Sequence, residues 1–214
     1  MIFDSIIFGY TPEPILRGVF LRLEPGHITG LVGRNGCGKS TLIRIGAGFL
    51  LPDDGAIFIE GQNTNLLPLQ YRYQKIAYLS QESFLPPTQR VSTVLKWMPR
   101  GTFAVEQNRL QAWKHRRVGS LSVGERRFLE IAMLLGLQRQ FILLDEPFTG
   151  IDPKYIQSIS ELLRAAATAG AGLLVTDHYY HYLLPLIDDL VMLSSGRCTR
   201  LEKSESFATQ LGMM

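Results

Sequence analysis

The sequence contains no long apolar run. Spanning a bilayer takes roughly 18 to 20 consecutive apolar residues, and the most apolar segments of this 214-residue chain, 141–144 and 172–175, are far shorter. The first nine residues have neither a basic start nor a small-residue cleavage site, so they do not predict a signal peptide. We therefore expect a protein without a transmembrane segment of its own that is made and kept in the cytosol.

Cysteine is scarce, and neither sign of charge is in large excess. The two cysteines, Cys37 and Cys198, have neither a disulfide nor a metal-binding spacing. A formal net charge of +3 is too small to predict a nucleic-acid partner, and the one basic run, 114–117, is typical of a solvated loop. With 46% hydrophobic residues the chain can bury one substantial core, so we expect a single domain over 1–214.

Residues 33–41, GRNGCGKST, match the pattern G-x-x-x-x-G-K-[ST] of a phosphate-binding loop. The loop follows a strand-like run, 28–32, and opens a predicted helix, 39–47, which is the context that the motif requires. Its glycines let backbone N–H groups point inward, Lys39 reaches the outer phosphates, and the Ser40 hydroxyl can ligate Mg²⁺. The loop therefore predicts binding of ATP or GTP. Its expected nucleotide contacts are Gly33, Asn35, Gly36, Cys37, Gly38, Lys39, Ser40 and Thr41.

Strand and helix signals alternate along the chain. Apolar patterns and turn residues predict strands at 2–8, 19–23, 56–60 and 75–80, and fully buried strands at 141–144 and 173–176. Helical spacing predicts helices at 123–137 and 154–169, and Val91, Val94, Leu95 and Met98 are spaced as one helix face. We expect an α/β fold with a mostly parallel sheet, in which a core of 1–81 and 141–214 carries a helical insertion at 82–140.

Polar residues follow the predicted strands at their carboxyl ends, where open parallel sheets bind ligands. The phosphate-binding loop follows 28–32, Gln81 follows 77–80, Asp145 and Glu146 follow 141–144, and His178 follows 173–176. We expect one active site to collect all of them.

In the order of its motifs the sequence resembles the ATP-binding subunit of an ATP-binding-cassette (ABC) transporter, from about residue 10 to about residue 200. The motifs are the phosphate-binding loop, Gln81, the segment LSVGE at 121–125 in place of the family's L-S-G-G-Q, FILLDEP at 141–147, GID at 150–152, and His178. The resemblance implies the ABC ATPase fold: a P-loop NTPase core with a mostly parallel sheet, an N-terminal antiparallel β subdomain and a small helical insertion.

The resemblance also implies roles for the residues at the sheet edge. Asp145 would hold the Mg²⁺ shell together with Ser40 and Gln81, because a hard cation that carries phosphates takes few protein oxygens. Glu146 would orient or deprotonate the attacking water, and His178 would contact the γ-phosphate.

Tyr10 would stack on adenine. It lies 29 residues before Lys39 (39 − 10 = 29), which is about the family's spacing for this aromatic. The alternative is a strand aromatic that packs in the core.

The segment 121–125 departs from the family pattern. Ser122 and Glu125 predict a capping box at the start of a helix, which by itself would explain both residues. The family's equivalents of Ser122 and Gly124 contact ATP bound to the opposite subunit of a head-to-tail dimer, and Asp152 resembles the residue that links the two sites. Val123 restricts the backbone and Glu125 places an anion where glutamine is usual, so we expect a less tight dimer.

The implied function is ATP binding and hydrolysis that powers a separate membrane-spanning subunit. The cofactors would be ATP and Mg²⁺. The partners would be a transmembrane permease subunit and a second ATP-binding subunit, expected to be an identical copy, with no nucleic acid. The chain would lie in the cytoplasm at the inner face of the cell membrane.

The permease would dock between Gln81 and the helical insertion, where Phe84, Leu85, Trp97 and Met98 are the apolar candidates, although Trp97 and Met98 could equally pack in the core. The alternative function is a soluble ABC ATPase without a transporter, for example of the iron–sulfur assembly type. A catalytically inactive binding module is disfavoured, because Lys39, Asp145, Glu146 and His178 are all present.

Overall fold

A computed structural model describes residues 1–97 and 107–201, which form ten strands and seven helices together with short 3₁₀ turns. The strands are β1 (Ile2–Phe8), β2 (Leu16–Arg22), β3 (Ile28–Val32), β4 (Asp54–Ile59), β5 (Gln62–Asn63), β6 (Ile76–Leu79), β7 (Phe141–Asp145), β8 (Gly172–Thr176), β9 (Asp189–Ser194) and β10 (Arg197–Leu201). The helices are α1 (Lys39–Ala47), α2 (Leu69–Lys75), α3 (Val91–Val94), α4 (Gln107–Trp113), α5 (Val123–Gly136), α6 (Pro153–Thr168) and α7 (Tyr180–Leu186).

The strands form two sheets. The larger sheet has the order β10-β9-β3-β8-β7-β6, and its pairs are parallel except for the β9–β10 hairpin at one edge. The smaller sheet has the order β2-β1-β4-β5 and is antiparallel. The predicted α/β fold with a mostly parallel sheet and an N-terminal antiparallel β part is therefore confirmed.

Both faces of the larger sheet are buried. Alternate residues of β7 point to opposite sides, as the period of two requires: Ile142 and Leu144 belong to the core under α5, α6 and α7, whereas Phe141 and Leu143 belong to the core shared with α1 and the smaller sheet. Burial on both sides explains why β3, β7 and β8 read as short continuous apolar runs.

The helix starts follow sequence signals that bear on the site. Ser122 accepts a hydrogen bond from the Glu125 N–H, and the Glu125 carboxylate accepts one from the Ser122 N–H, so the predicted capping box is present at α5. Asp152 caps α6 by accepting from the Lys154 N–H at 3.0 Å, and Pro153 occupies the first helical position, where its missing N–H costs nothing.

Several predicted boundaries differ from the observed ones. Strand β2 begins at Leu16 rather than at residue 19, and β4 begins at Asp54 rather than at 56. The segment predicted as one helix face from Val91 is α-helical only to Val94 and continues as a 3₁₀ turn to Trp97, while Met98 lies outside the described residues. Helix α7 had no predicted counterpart, because Pro185 and an aromatic run obscure its pattern.

Candidate functional site

The phosphate-binding loop curls around the start of α1. Gly36 and Gly38 have φ values of 77° and 108°, which residues other than glycine rarely adopt. A side chain at Gly33 would clash with the Leu193 carbonyl oxygen. The buried Lys39 ammonium donates to the Gly33 oxygen at 2.8 Å and to the Arg34 oxygen at 3.1 Å. The loop thus carries a cation on its inner side, as a phosphate-binding loop requires.

Asp145 ends β7 beside the first turn of α1. Its Oδ1 accepts from the Ser40 hydroxyl at 3.1 Å and from the Thr176 hydroxyl at 2.9 Å. A carboxylate and a hydroxyl side by side fit Mg²⁺, which takes few protein oxygens and keeps several waters. In residues 1–97 and 107–201, no three His, Cys, Asp or Glu side chains come together as a metal cluster, so a cation here would depend on this mixed pair.

Glu146 occupies an unusual backbone conformation at the strand tip. Its φ of 52° is uncommon for a residue other than glycine, and the turn is held by its N–H, which donates to the Thr176 carbonyl oxygen at 3.0 Å. Observed strain of this kind concentrates at functional sites. Here the turn directs the carboxylate back across the ends of the neighbouring strands.

Three side chains contact the Glu146 carboxylate. Oε2 accepts from the Gln81 amide at 2.9 Å and from the Thr149 hydroxyl at 3.2 Å, and Oε1 lies 2.7 Å from the His178 Nε2. The ends of β6, β7 and β8 therefore meet at this carboxylate, as expected from the sequence.

Tyr10 is 63% exposed, so it is not an aromatic residue packed in the core, which was the alternative. Its ring packs edge-on against Phe8 at a centroid distance of 5.0 Å, and its hydroxyl lies 3.3 Å from the Thr41 hydroxyl. A cavity of about 550 Å³ contains Tyr10 in its wall together with most of the predicted contacts. The other lining residues are Ile15, Asn35, Gly36, Gly38, Lys39, Ser40, Thr41, Gln81, Glu146 and His178.

Asp177 is a buried residue of this region for which the sequence predicted no role. Burial raises the pKa of its carboxyl, and the charge of Glu146 raises it further, whereas backbone N–H groups lower it. Its oxygens accept from the Phe148 N–H at 2.8 Å and from the Tyr179 N–H at 2.9 Å. Asp177 thus ties the segment after Glu146 to the one that carries His178. The sequence signal that could have identified Asp177 is an acidic residue directly after a buried strand.

Ser122, Gly124 and Asp152 lie outside this cavity, at the starts of α5 and α6. Ser122 and Asp152 are exposed, and Gly124 packs so closely on Tyr155 that an added Cβ would lie 2.6 Å from the ring. The structure therefore does not bring these three predicted residues to the cavity of their own chain.

Glu125 is not a free anion at the surface. Burial alone would raise the pKa of its carboxyl, but hydrogen bonds from Arg116, the Ser122 N–H and Tyr155, with the charge of Arg116, bring the pKa below its usual value. The Arg116 Nη1 lies 2.9 Å from its Oε1.

The predicted docking residues divide into two groups. Phe84 and Trp97 are exposed, but Leu85 is only 4% exposed and belongs to the core, so its assignment as a docking contact is wrong.

The sequence missed two further exposed rings, Phe49 after α1 and Tyr73 on α2. The Phe49 ring centroid lies 5.2 Å from that of Tyr78 and 6.5 Å from that of Tyr73.

Comparison with known proteins identifies the family. Residues 16–149 match the family model described as ABC transporter. The chain is 33% identical over 207 residues to the lipopolysaccharide export system ATP-binding protein LptB of Acidithiobacillus ferridurans, an alignment that covers 91% of this chain and 86% of the relative. It belongs to the ABC transporter family. The corresponding protein of Escherichia coli strain K12 is 32% identical over 204 residues, covering 88% and 84% of the two chains.

A solved structure of an ATP-binding subunit of an ABC transporter superposes on this subunit with a TM-score of 0.83 at 25% identity, covering 99% of this chain and 93% of the other. The protein is thus an ABC ATP-binding subunit and an ATPase, which binds ATP and powers a membrane-spanning partner. In the part of the chain that the structure describes, no helix is both long and apolar enough to cross a bilayer.

Proposed function

We propose that the cavity beside the phosphate-binding loop is the ATPase site and that Glu146 orients and deprotonates the attacking water. The observation that carries this proposal is the Glu146 carboxylate itself, buried at a strand tip and contacted by Gln81, Thr149 and His178. A carboxylate placed in this way can accept a proton from water, a contribution of about 10²- to 10⁴-fold in rate. His178 would hold the γ-phosphate from the same side.

The phosphates would lie in the loop, and the base would lie on the Tyr10 ring. Lys39 would exchange the Gly33 and Arg34 carbonyls for phosphate oxygens, and the N–H groups of the loop would donate to the same oxygens. The 63% exposure of Tyr10 supports stacking, which is worth roughly 1–3 kcal/mol per base.

Mg²⁺ would be held by Ser40 and Asp145, with the Gln81 amide oxygen as a third contact. Mg²⁺ in this position neutralises charge that develops on the phosphates during transfer. The 3.1 Å contact between Ser40 and Asp145 supports the assignment, because it already places two hard oxygen donors together at the carboxyl edge of the sheet.

A second, identical copy would complete the site. Ser122 and Gly124 would contact the ATP of the partner, and Asp152 would link the two sites. This proposal is supported by the position of all three residues at the starts of α5 and α6, outside the cavity of their own chain. One chain carries every part that a symmetric head-to-tail pair needs.

The permease subunit would dock against exposed aromatic side chains, and the ATP-binding subunit would then lie in the cytoplasm at the inner face of the cell membrane. These side chains are Phe84 and Trp97, together with Phe49 and Tyr73, whose ring centroids lie 6.5 Å apart. Neighbouring exposed apolar side chains are typical of interaction sites, and the family membership specifies the partner as a membrane-spanning subunit. The same proposal treats 1–214 as one domain with a core of 1–81 and 141–214 and a helical subdomain at 82–140.

The test is a membrane-fraction pulldown of the tagged Glu146→Gln subunit with ATP and Mg²⁺. We expect a multi-span membrane protein to co-purify, and we expect the added substitution Trp97→Ser to reduce its recovery. Phe20→Ser is the matched control, since Phe20 is also exposed but lies on β2, beside residues at the amino ends of the central strands. Equal loss with both substitutions, or none with Trp97→Ser, would refute the assigned docking surface.

A further inference from the structure

A buried ion pair lies on α5, a little more than one turn after the capping box. The side chains of Arg127 and Glu130 are 7% and 2% exposed, and the Arg127 Nη1 lies 3.3 Å from the Glu130 Oε2. Removing two charges from water costs several kcal/mol per ion unless further hydrogen bonds satisfy the remaining donors and acceptors. The other contacts of the pair therefore indicate what it holds in place.

Among the described residues, the other hydrogen bonds of the two side chains go to the segment that follows β6. The Arg127 guanidinium donates from Nη1 to the Ser80 carbonyl oxygen at 2.8 Å and from Nη2 to the Gln81 carbonyl oxygen at 2.9 Å. The Ser83 hydroxyl donates to the other carboxylate oxygen of Glu130. A planar fork that binds two successive carbonyls fixes their direction as well as their position, which a lysine could not do.

The backbone held in this way carries the Gln81 side chain, whose amide donates to Glu146 at 2.9 Å. We propose that Arg127 is a positioning residue that fixes the Gln81 backbone so that the Gln81 amide reaches Glu146, and that Glu130 orients the guanidinium. The inference rests on the roles proposed above for Gln81 and Glu146, and adds the element that places them relative to α5.

The position of Arg127 on α5 gives this contact a consequence for the dimer. Ser122 caps α5, and Arg127 is five residues further along the same helix, about 7.5 Å along its axis. A displacement of the start of α5, where Ser122 would meet the partner's ATP, therefore moves the Gln81 backbone with it. One helix then links the contact made to the partner's nucleotide with the water-activating carboxylate of this chain.

The test begins with Arg127→Lys, which keeps the buried charge and loses the fork. We expect kcat for ATP hydrolysis to fall about 10-fold, the scale of losses from groups that orient a catalytic contact, while KM stays within about twofold, since Arg127 does not line the cavity. Arg164→Lys is the matched control. Arg164 also donates to a carboxylate, that of Asp188, and to a backbone carbonyl, but on α6, and we expect its kcat to be unchanged.

A double-mutant cycle separates positioning from general destabilisation. If Arg127 acts through Gln81, Arg127→Lys in a Gln81→Ala background produces no further loss of kcat. Independent effects would multiply, giving about another 10-fold loss, and that result would overturn the inference. If Arg127→Lys does not fold, Glu130→Gln takes its place in the cycle, since glutamine retains an acceptor for Ser83 and weakens the hold on the guanidinium.

The reference variant is Glu146→Gln. If it retains turnover, the proposed role of Glu146 fails and the inference fails with it. If it loses turnover while the effects of Arg127 and Gln81 multiply, the proposed function stands and only the positioning role of Arg127 is refuted.

Discussion

Replacing Gly124 by alanine tests whether the fit between α5 and α6 sets the geometry for turnover. The new Cβ would lie 2.6 Å from Tyr155 Cδ2, 3.1 Å from Tyr155 Cγ and 3.2 Å from Ile151 Cγ2. Ordinary carbon–carbon contacts are about 3.5–4.0 Å. The Tyr155 Cγ lies at the base of the ring, where rotation about χ2 does not move it, so we expect the start of α5 to move away from α6 by roughly 1 Å.

The expected effect on stability is small because two contributions oppose each other. Alanine favours a helix over glycine by about 1 kcal/mol, and overpacking costs about 1–3 kcal/mol, so we expect the free energy of unfolding to fall by about 0–2 kcal/mol. Turnover is more sensitive. A misplacement of about 1 Å can cost on the order of 10²-fold, and we expect kcat to fall about 10- to 100-fold.

Urea unfolding and phosphate release measure the two effects. The control is Gln157→Ala, at an exposed position of α6 outside the cavity, which removes atoms and should change kcat less than twofold. Adding Tyr155→Ala to Gly124→Ala should restore part of the activity by making room for the methyl group. Full activity of Gly124→Ala would refute the reasoning. If Tyr155→Ala does not restore activity, the loss would be assigned to blocked access of the partner's ATP instead.

Three further predictions concern single side chains. Glu146→Gln should lower kcat about 10²- to 10⁴-fold and leave ATP affinity unchanged, which nucleotide binding and phosphate release would show. Tyr10→Ala should weaken ATP binding by about 1–3 kcal/mol, while Tyr10→Phe, which keeps the ring, should bind normally. Glu125→Gln should lose about 0.5 kcal/mol of stability at pH 7 by removing the Arg116 pair. Folding lowers the pKa of the Glu125 carboxyl, so its contribution to stability is present above the usual pKa of 4.5 and is lost as the pH falls through the folded pKa. The free energies of unfolding of the two proteins should therefore converge at low pH.

The strands that the sequence predicted well are those whose residues are apolar because both faces of the sheet are buried. Strands β3, β7 and β8 are buried on both faces. The polar residues after β6, β7 and β8 were expected to meet, and Glu146 contacts both Gln81 and His178. The capping box was predictable because Ser122 and Glu125 satisfy each other locally. In each case the signal lies within a few residues of the structure it specifies.

Features that depend on distant partners were not predictable. Leu85 looks like an exposed loop residue in the sequence, and only the packing of the helices around it buries it. The group formed by Phe49, Tyr73 and Tyr78 joins three separate segments of the chain: the loop after α1, helix α2 and strand β6. Arg127 is one of two adjacent arginines near the start of α5, and nothing near it in the sequence indicated that it would bind the backbone after β6.

The charged groups of the site are satisfied by their own chain, which bears on how ATP binds. Lys39 donates to two carbonyls of its loop, and Glu146 is contacted by three side chains, so neither buried charge is left unpaired. A buried charge without partners would destabilise the fold by several kcal/mol. Binding therefore exchanges neutral carbonyl acceptors for anionic phosphate oxygens at Lys39. The ammonium keeps charge-assisted hydrogen bonds and gains an opposite charge beside it, which favours the nucleotide. At Glu146 the two carboxylate oxygens offer about four acceptor sites, so the three side-chain contacts leave room for the attacking water.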